Sequence, residues 1–190
     1  MKSHSFFPAS LCLALVACSG ASHIAPDGWK KYAHDQYDYQ FDYPMDATIE
    51  ESQGGTFSND KKKDVPFPDA TCVTVHKTFG AIAISGPDDP GYDSDAGTYC
   101  GLMNMQTAGG QSESKKLTVE GQSVTAEGYF NPAGIGIDGK PFMQTEWLAL
   151  KTPNGFRIVY RLDPQSNADL AHYEQLKAEL ETIAQSLRAK

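Results

Sequence analysis

Tyr37, Tyr39, Phe41 and Tyr43 alternate with Asp38, Gln40 and Asp42 until Pro44 stops the run. Alternation with period two, carried by aromatic residues, predicts a half-buried strand. Apolar runs at 72–78 and 81–85 predict two more strands, and 117–120 with 123–130 reads as a hairpin turning at Gly121-Gln122. The clearest hairpin spans 143–151 and 156–162, because Asn154-Gly155 supplies the positive backbone angles of a tight turn. In its second strand Phe156, Ile158, Tyr160 and Leu162 alternate with Arg157, Val159 and Arg161, so one face is expected buried and the other largely wet. Gly54-Gly55 opens a mostly polar stretch to Asp69 that reads as flexible, with Lys61-Lys62-Lys63 inside it.

Near the carboxy terminus the period changes. Ser166 followed by Asp169 is a capping box with the shorter Asp in place of Glu or Gln. Leu170, Tyr173, Leu176, Leu180, Ile183, Ala184 and Leu187 then recur mostly at steps of three and four. That stripe predicts a helix with one apolar side, which needs a sheet to cover. The expected class is therefore α+β, an antiparallel sheet covered by a carboxy-terminal helix.

The amino terminus reads as an address. Lys2 in an acid-free head precedes a mostly apolar stretch from Phe6 to Ala17, too short for the roughly 20 residues that span a bilayer. The stretch ends Leu15-Val16-Ala17-Cys18, followed by Ser19-Gly20. This resembles the lipobox of bacterial lipoproteins. The resemblance implies that the Cys18 thiol takes diacylglycerol, that cleavage precedes Cys18, and that the new amino terminus is acylated. Several acyl chains together give stable membrane attachment. Residues 1–17 are then the signal, 18–28 the lipidated Cys and its tether, and 29–190 one globular domain. With Ser19 and not Asp after the anchor, the Gram-negative sorting rule points to the outer membrane, facing the periplasm.

Charge narrows the partners. Sixteen Lys and Arg against 24 Asp and Glu give a net charge of −8 in 190 residues, which argues against nucleic acid held by phosphate contacts. Of four Cys, Cys12 falls in the signal and Cys18 takes the lipid. Cys72 and Cys100 remain, an even pair in an oxidising compartment, and are expected to form a disulfide. No CxxC supports a redox role.

A second resemblance lies in the domain itself. Trp29, Tyr32, Tyr37 and Phe41-Asp42-Tyr43-Pro44 are similar to the opening of PsbP-like domains, and Phe156 to Arg161 with the final helix matches their ending. The central part, with Cys72, Cys100 and the acidic loop, departs from that pattern. The resemblance implies an accessory or binding module and names no substrate.

Candidate chemistry is sparse. His4, His23, His34, His76 and His172 lack metal-ligand spacing, and the Ser motifs at Gly121-Gln122-Ser123 and Gly110-Gln111-Ser112 break off before completing GxSxG. Gly134-Ile135-Gly136-Ile137-Asp138-Gly139 satisfies GxGxxG, yet Asn131-Pro132 before it and Lys140-Pro141 after it favour a hairpin loop over a dinucleotide site. Asp88, Asp89, Asp93 and Asp95 sit in a turn-rich loop whose oxygens suit Ca²⁺, without the order of an EF-hand. The expectation is a non-catalytic envelope lipoprotein without a cofactor, membrane-bound through its lipid and serving a protein partner. The alternative is a module binding Ca²⁺ or a cell-wall glycan through the acidic loop or the amino-terminal aromatics.

Overall fold

The computed structural model describes residues 25–58, 64–86, 98–99, 102–103, 110–135, 139 and 141–190. Its first strands are β1 (Trp29–Ala33), β2 (Gln40–Pro44), β3 (Thr48–Glu51), β4 (Gly55–Ser58) and β5 (Asp64–Phe67). Then come β6 (Cys72–Lys77), β7 (Gly80–Ser85), β8 (Thr98–Tyr99), β9 (Leu102–Met103) and β10 (Gln111–Val119). β11 (Gln122–Asn131), β12 (Gly134–Ile135), β13 (Pro141–Phe142), β14 (Thr145–Lys151) and β15 (Arg157–Leu162) complete the strands. The helices are α1 (Asn167–Ala171) and α2 (Tyr173–Ser186).

Seven strands form one antiparallel sheet in the order β10-β11-β14-β15-β7-β6-β3. The register puts Val75, Ile82, Tyr160 and Leu148 in one row across the sheet, with Val73, Ile84, Ile158 and Leu150 in the next. Period two along each strand therefore becomes one continuous apolar face. Leu176, Leu180, Ile183 and Ala184 of α2 close on it, as the stripe predicted. The class is α+β, with the carboxy-terminal helix covering the sheet. Leu180 is fully buried, so Leu180→Ala is expected to lower the unfolding free energy by about 2–5 kcal/mol. A change under about 0.5 kcal/mol in denaturant melts would place it on the surface instead.

Several local expectations are corrected. The alternating aromatic run is a strand only from Gln40, since residues 35–38 bend and bring β2 back along β1. Asp42, on the expected wet side, is fully buried. The hairpin after β10 turns at Glu120-Gly121, not Gly121-Gln122, with both residues at positive φ (53° and 75°). Such a two-residue turn matches the twist of the strands it joins. Asn154-Gly155 is not the centre of a two-residue turn: only Gly155 has positive φ, and the tight turn runs from Thr152 to Gly155, closed by Gly155 N–H on Thr152 O (3.0 Å), with further bonds between Thr152 N–H and Phe156 O (2.8 Å) and between Phe156 N–H and Thr152 Oγ1 (3.0 Å). The polar stretch after Gly54 contains the hairpin β4–β5, with Lys61–Lys63 outside the described residues.

The second face of the sheet is drier than expected. Val159 joins Cys72, Ala81, Ala83 and Trp147 in a small buried cluster there. Ser166 caps α1 as expected, accepting from Asp169 N–H at 3.2 Å, but Asp169 Oδ2 accepts from Gln165 N–H, one residue before the cap. The helical stripe is broken at His172 into α1 and α2.

The chain end is fastened to β2. Gln40 and Arg188 exchange backbone hydrogen bonds at 2.9 and 3.0 Å. The Arg188 guanidinium meets both oxygens of Asp42 at 3.1 Å, while Ser186 Oγ accepts from Asp42 N–H at 2.9 Å.

Candidate functional site

Beneath the amino-terminal half of α2, strand β14 carries Glu146 on the inward parity shared by Leu148 and Leu150. Only 1% of Glu146 is exposed, and a charge so placed must be satisfied by the fold. Oε1 accepts from Tyr160 Oη at 2.9 Å, and Oε2 from Tyr173 Oη at 3.0 Å and Lys177 Nζ at 2.7 Å. Tyr173 and Lys177 lie four residues apart on α2, so one helix face presents both donors. The cluster extends outward. Lys177 is also 3.5 Å from Glu113 of β10. Glu181 accepts from Lys115 Nζ at 2.5 Å and from Tyr160 Oη at 3.3 Å.

Glu113, Glu146, Tyr173 and Lys177 line a cleft of about 450 Å³ between α2 and the β10–β11–β14 end of the sheet, together with Gln111, Phe130, Gln144 and Glu174. The titratable donors around Glu146 hold their protons firmly. Burial, then the charge of Glu146, pushes the phenols of Tyr160 and Tyr173 far above the ordinary value of 10.0. Burial draws the Lys177 ammonium down, but the hydrogen bond to Glu146 and the charges of Glu146, Glu113 and Glu181 outweigh it, and the net shift is upward. A general base must shed its proton near the working pH, and these groups are tuned the other way.

A folded-state pKa raised above the unfolded one stabilises the fold below the unfolded value and is lost as pH climbs through the folded one. Tyr32 and Tyr39 are raised too, chiefly by burial. Stability is thus expected to hold below pH about 10 and fall above it. Absorbance at 295 nm should show these four phenols ionising only with unfolding. Free ionisation of all phenols in the folded protein would refute it.

His34 is fully buried, with Nδ1 accepting from the N–H groups of Gln36 (3.0 Å) and Tyr37 (3.1 Å), which leaves Nε2 to donate to Ala70 O at 2.6 Å. It shapes the β1–β2 turn, ringed by Tyr32, Tyr37 and Tyr39. His76 is an exposed partner of Glu50, and His172 marks the helix break. Among the described residues no group of three His, Cys, Asp or Glu could hold a metal ion.

Cys18 and the loop carboxylates Asp88, Asp89, Asp93 and Asp95 lie outside the described residues. Cys72 is buried on β6, and its proposed partner Cys100 also lies outside them. Of the GxGxxG stretch, Gly134 and Ile135 pair with Phe142 and Pro141, so a hairpin stands where a dinucleotide site needs a helix. Tyr39 and Phe41 are buried, and Trp29, Tyr32, Tyr37 and Tyr43 pack against the core. Sequence reasoning missed Glu146, Lys177, Tyr160 and Tyr173 as a unit. The one local signal was a Glu on the inward parity of an otherwise apolar strand.

No family model matches the chain, and no curated protein does either. One solved structure similar to it is the solution structure of cyanobacterial PsbP (CyanoP) from Synechocystis sp. PCC 6803. The likeness covers 92% of this chain and 99% of that one, with a TM-score of 0.42 and 14% identity. It is a weak likeness of overall fold, and the functional reading rests on the chain's own residues.

Proposed function

We propose that the protein is a non-catalytic envelope lipoprotein, tethered through Cys18 to the outer membrane on its periplasmic side and acting as an accessory module for a protein partner. The observation that carries the non-catalytic part is the Glu146 cluster under α2. Its phenols and ammonium are engaged by Glu146 and shifted away from neutrality, which suits a fixed recognition or structural element and not proton transfer. Leu15 to Ser19 supports the tether, and the inward packing of the amino-terminal aromatics favours a structural role for them over sugar stacking. A Cys72–Cys100 disulfide is part of the proposal and would add about 3–4 kcal/mol by constraining the unfolded chain.

In the native host, Cys18→Ser should abolish acyl labelling and move the protein from the membrane to the soluble fraction. Unchanged labelling would sink the anchor. A form beginning at Ser19 and exported to the periplasm should carry no alkylatable thiol, whereas two would refute the disulfide. Turnover of peptidoglycan, ester or peptide substrates that disappears on replacing one His, Ser or Asp would overturn the non-catalytic reading.

A further inference from the structure

β10 ends the seven-stranded sheet, and among the described residues no strand pairs with its outer side. It is nine residues long, longer than most edge strands are left. The two-residue turn at Glu120-Gly121 makes Val119 and Gln122 a hydrogen-bonded pair. Main-chain groups therefore point at β11 from every second residue back from Val119, and point outward from Ser112, Ser114, Lys116 and Thr118. The side chains of those four are also exposed.

We propose that this edge is a docking surface for a second copy of the chain, the two β10 strands pairing antiparallel about a two-fold axis through Ser114. A two-fold perpendicular to the sheet keeps each face continuous, so the residue on the axis fixes every other pair. Glu113 on the axis sets Glu113 against itself; Lys115 or Lys116 there sets two lysines together, and like charges directly opposite are destabilising. Ser112 on the axis leaves Glu113 facing Gln111. With Ser114 on the axis, Glu113 faces Lys115 of the second copy and Lys115 faces its Glu113. Ser112 faces Lys116 and Gln111 faces Leu117. The outward main-chain groups then coincide, giving about six hydrogen bonds.

Both charged residues are already held in place. Lys115 is anchored by Glu181 at 2.5 Å and Glu113 lies 3.5 Å from Lys177, so docking would run Glu181, Lys115, then Glu113 and Lys177 of the second copy, as one row of alternating sign. Lysines on an edge ordinarily keep other strands away. In this register each meets a carboxylate or a hydroxyl, and the same residues that repel a misaligned strand select the self-complementary one.

The test uses the full chain in its host membrane. Ser114→Cys should yield a reducible species of doubled mass under mild oxidation, since the separation of a hydrogen-bonded pair, about 5.5 Å between Cα atoms, falls within disulfide reach. Ser112→Cys faces Lys116 and should not. Ser114→Pro removes an outward N–H while leaving the β10–β11 ladder intact. In detergent, the wild-type chain should be dimeric by native mass spectrometry and Ser114→Pro monomeric, with Ser114→Pro still melting cooperatively as a folded chain and the wild-type midpoint alone rising with concentration. No crosslink at 114, equal crosslinking at 112, a monomeric wild type, or a dimer that survives a folded Ser114→Pro would each overturn the proposal. Should Ser114→Pro fail to fold, the two cysteine variants and the wild-type mass decide it.

Discussion

Arg188→Ala should lower the unfolding free energy by about 3–5 kcal/mol, a large part of the 5–15 kcal/mol typical of a domain. Asp42 is fully buried, and the Arg188 guanidinium meets both of its oxygens at 3.1 Å in the forked geometry that suits a carboxylate. Truncating Arg188 leaves that carboxylate short of its countercharge in a dry site. The carbon stem also goes, and with it support for the backbone bridge to Gln40. Arg188→Ala with Asp42→Asn should recover part of the loss, because the unpaired charge is then gone. Denaturant melts of the wild type, Arg188→Ala and the double variant decide it. A loss below about 1 kcal/mol for Arg188→Ala, the range of an exposed pair, would mean that the contact is a surface one.

Gly128→Ala is expected to be as damaging, for a steric reason. Gly128 sits on β11 opposite Leu148, and a Cβ there would lie 1.8 Å from the Trp147 carbonyl oxygen of the neighbouring strand. A backbone oxygen inside a ladder cannot rotate aside as a side chain would. The strands must separate, at about 3 kcal/mol or more, the upper end of overpacking losses. Gly121→Ala is the control. Its Cβ would meet nothing within 4 Å, so only the positive φ of 75° is penalised, by about 1–2 kcal/mol. Thermal melts should rank Gly128→Ala well below Gly121→Ala. Equal melting points would show that β11 and β14 do not approach so closely.

Charge inside the fold explains which sequence expectations failed. Alternation alone puts Asp42 on the wet side of its strand, and Arg188, its partner, lies 146 residues away. A single Glu between Thr145 and Trp147 says nothing locally about Tyr160, Tyr173 and Lys177, the partners of Glu146. Turn positions slipped for a different reason. Asn-Gly is a strong signal for a two-residue turn, but Thr152 accepts from Gly155 N–H and pairs with Phe156 through backbone and hydroxyl, which places the turn one residue earlier. Glu120, an unpromising residue for positive φ, takes it because the pairing of Val119 with Gln122 leaves two residues for the turn.

The α+β class is legible in the chain: apolar runs at β6, β7, β14 and β15, and a helical stripe from Tyr173 to Leu187 with one side to bury. Period two and period 3.6 are local properties of the chain, and burying one face of each element is enough to select sheet plus helix. The arrangement of strands emerges on folding: β7 lies beside β15, β1 and β2 pair with each other outside the main sheet, and β10 is left at an edge. Periodicity says which way a side chain points and not which strand lies next to it, because neighbour choice is set by long-range closure of the whole chain. The Glu146 cluster and the Asp42–Arg188 pair belong to the same category. A buried charge is tolerable only with partners, and those partners come together only when distant segments have packed.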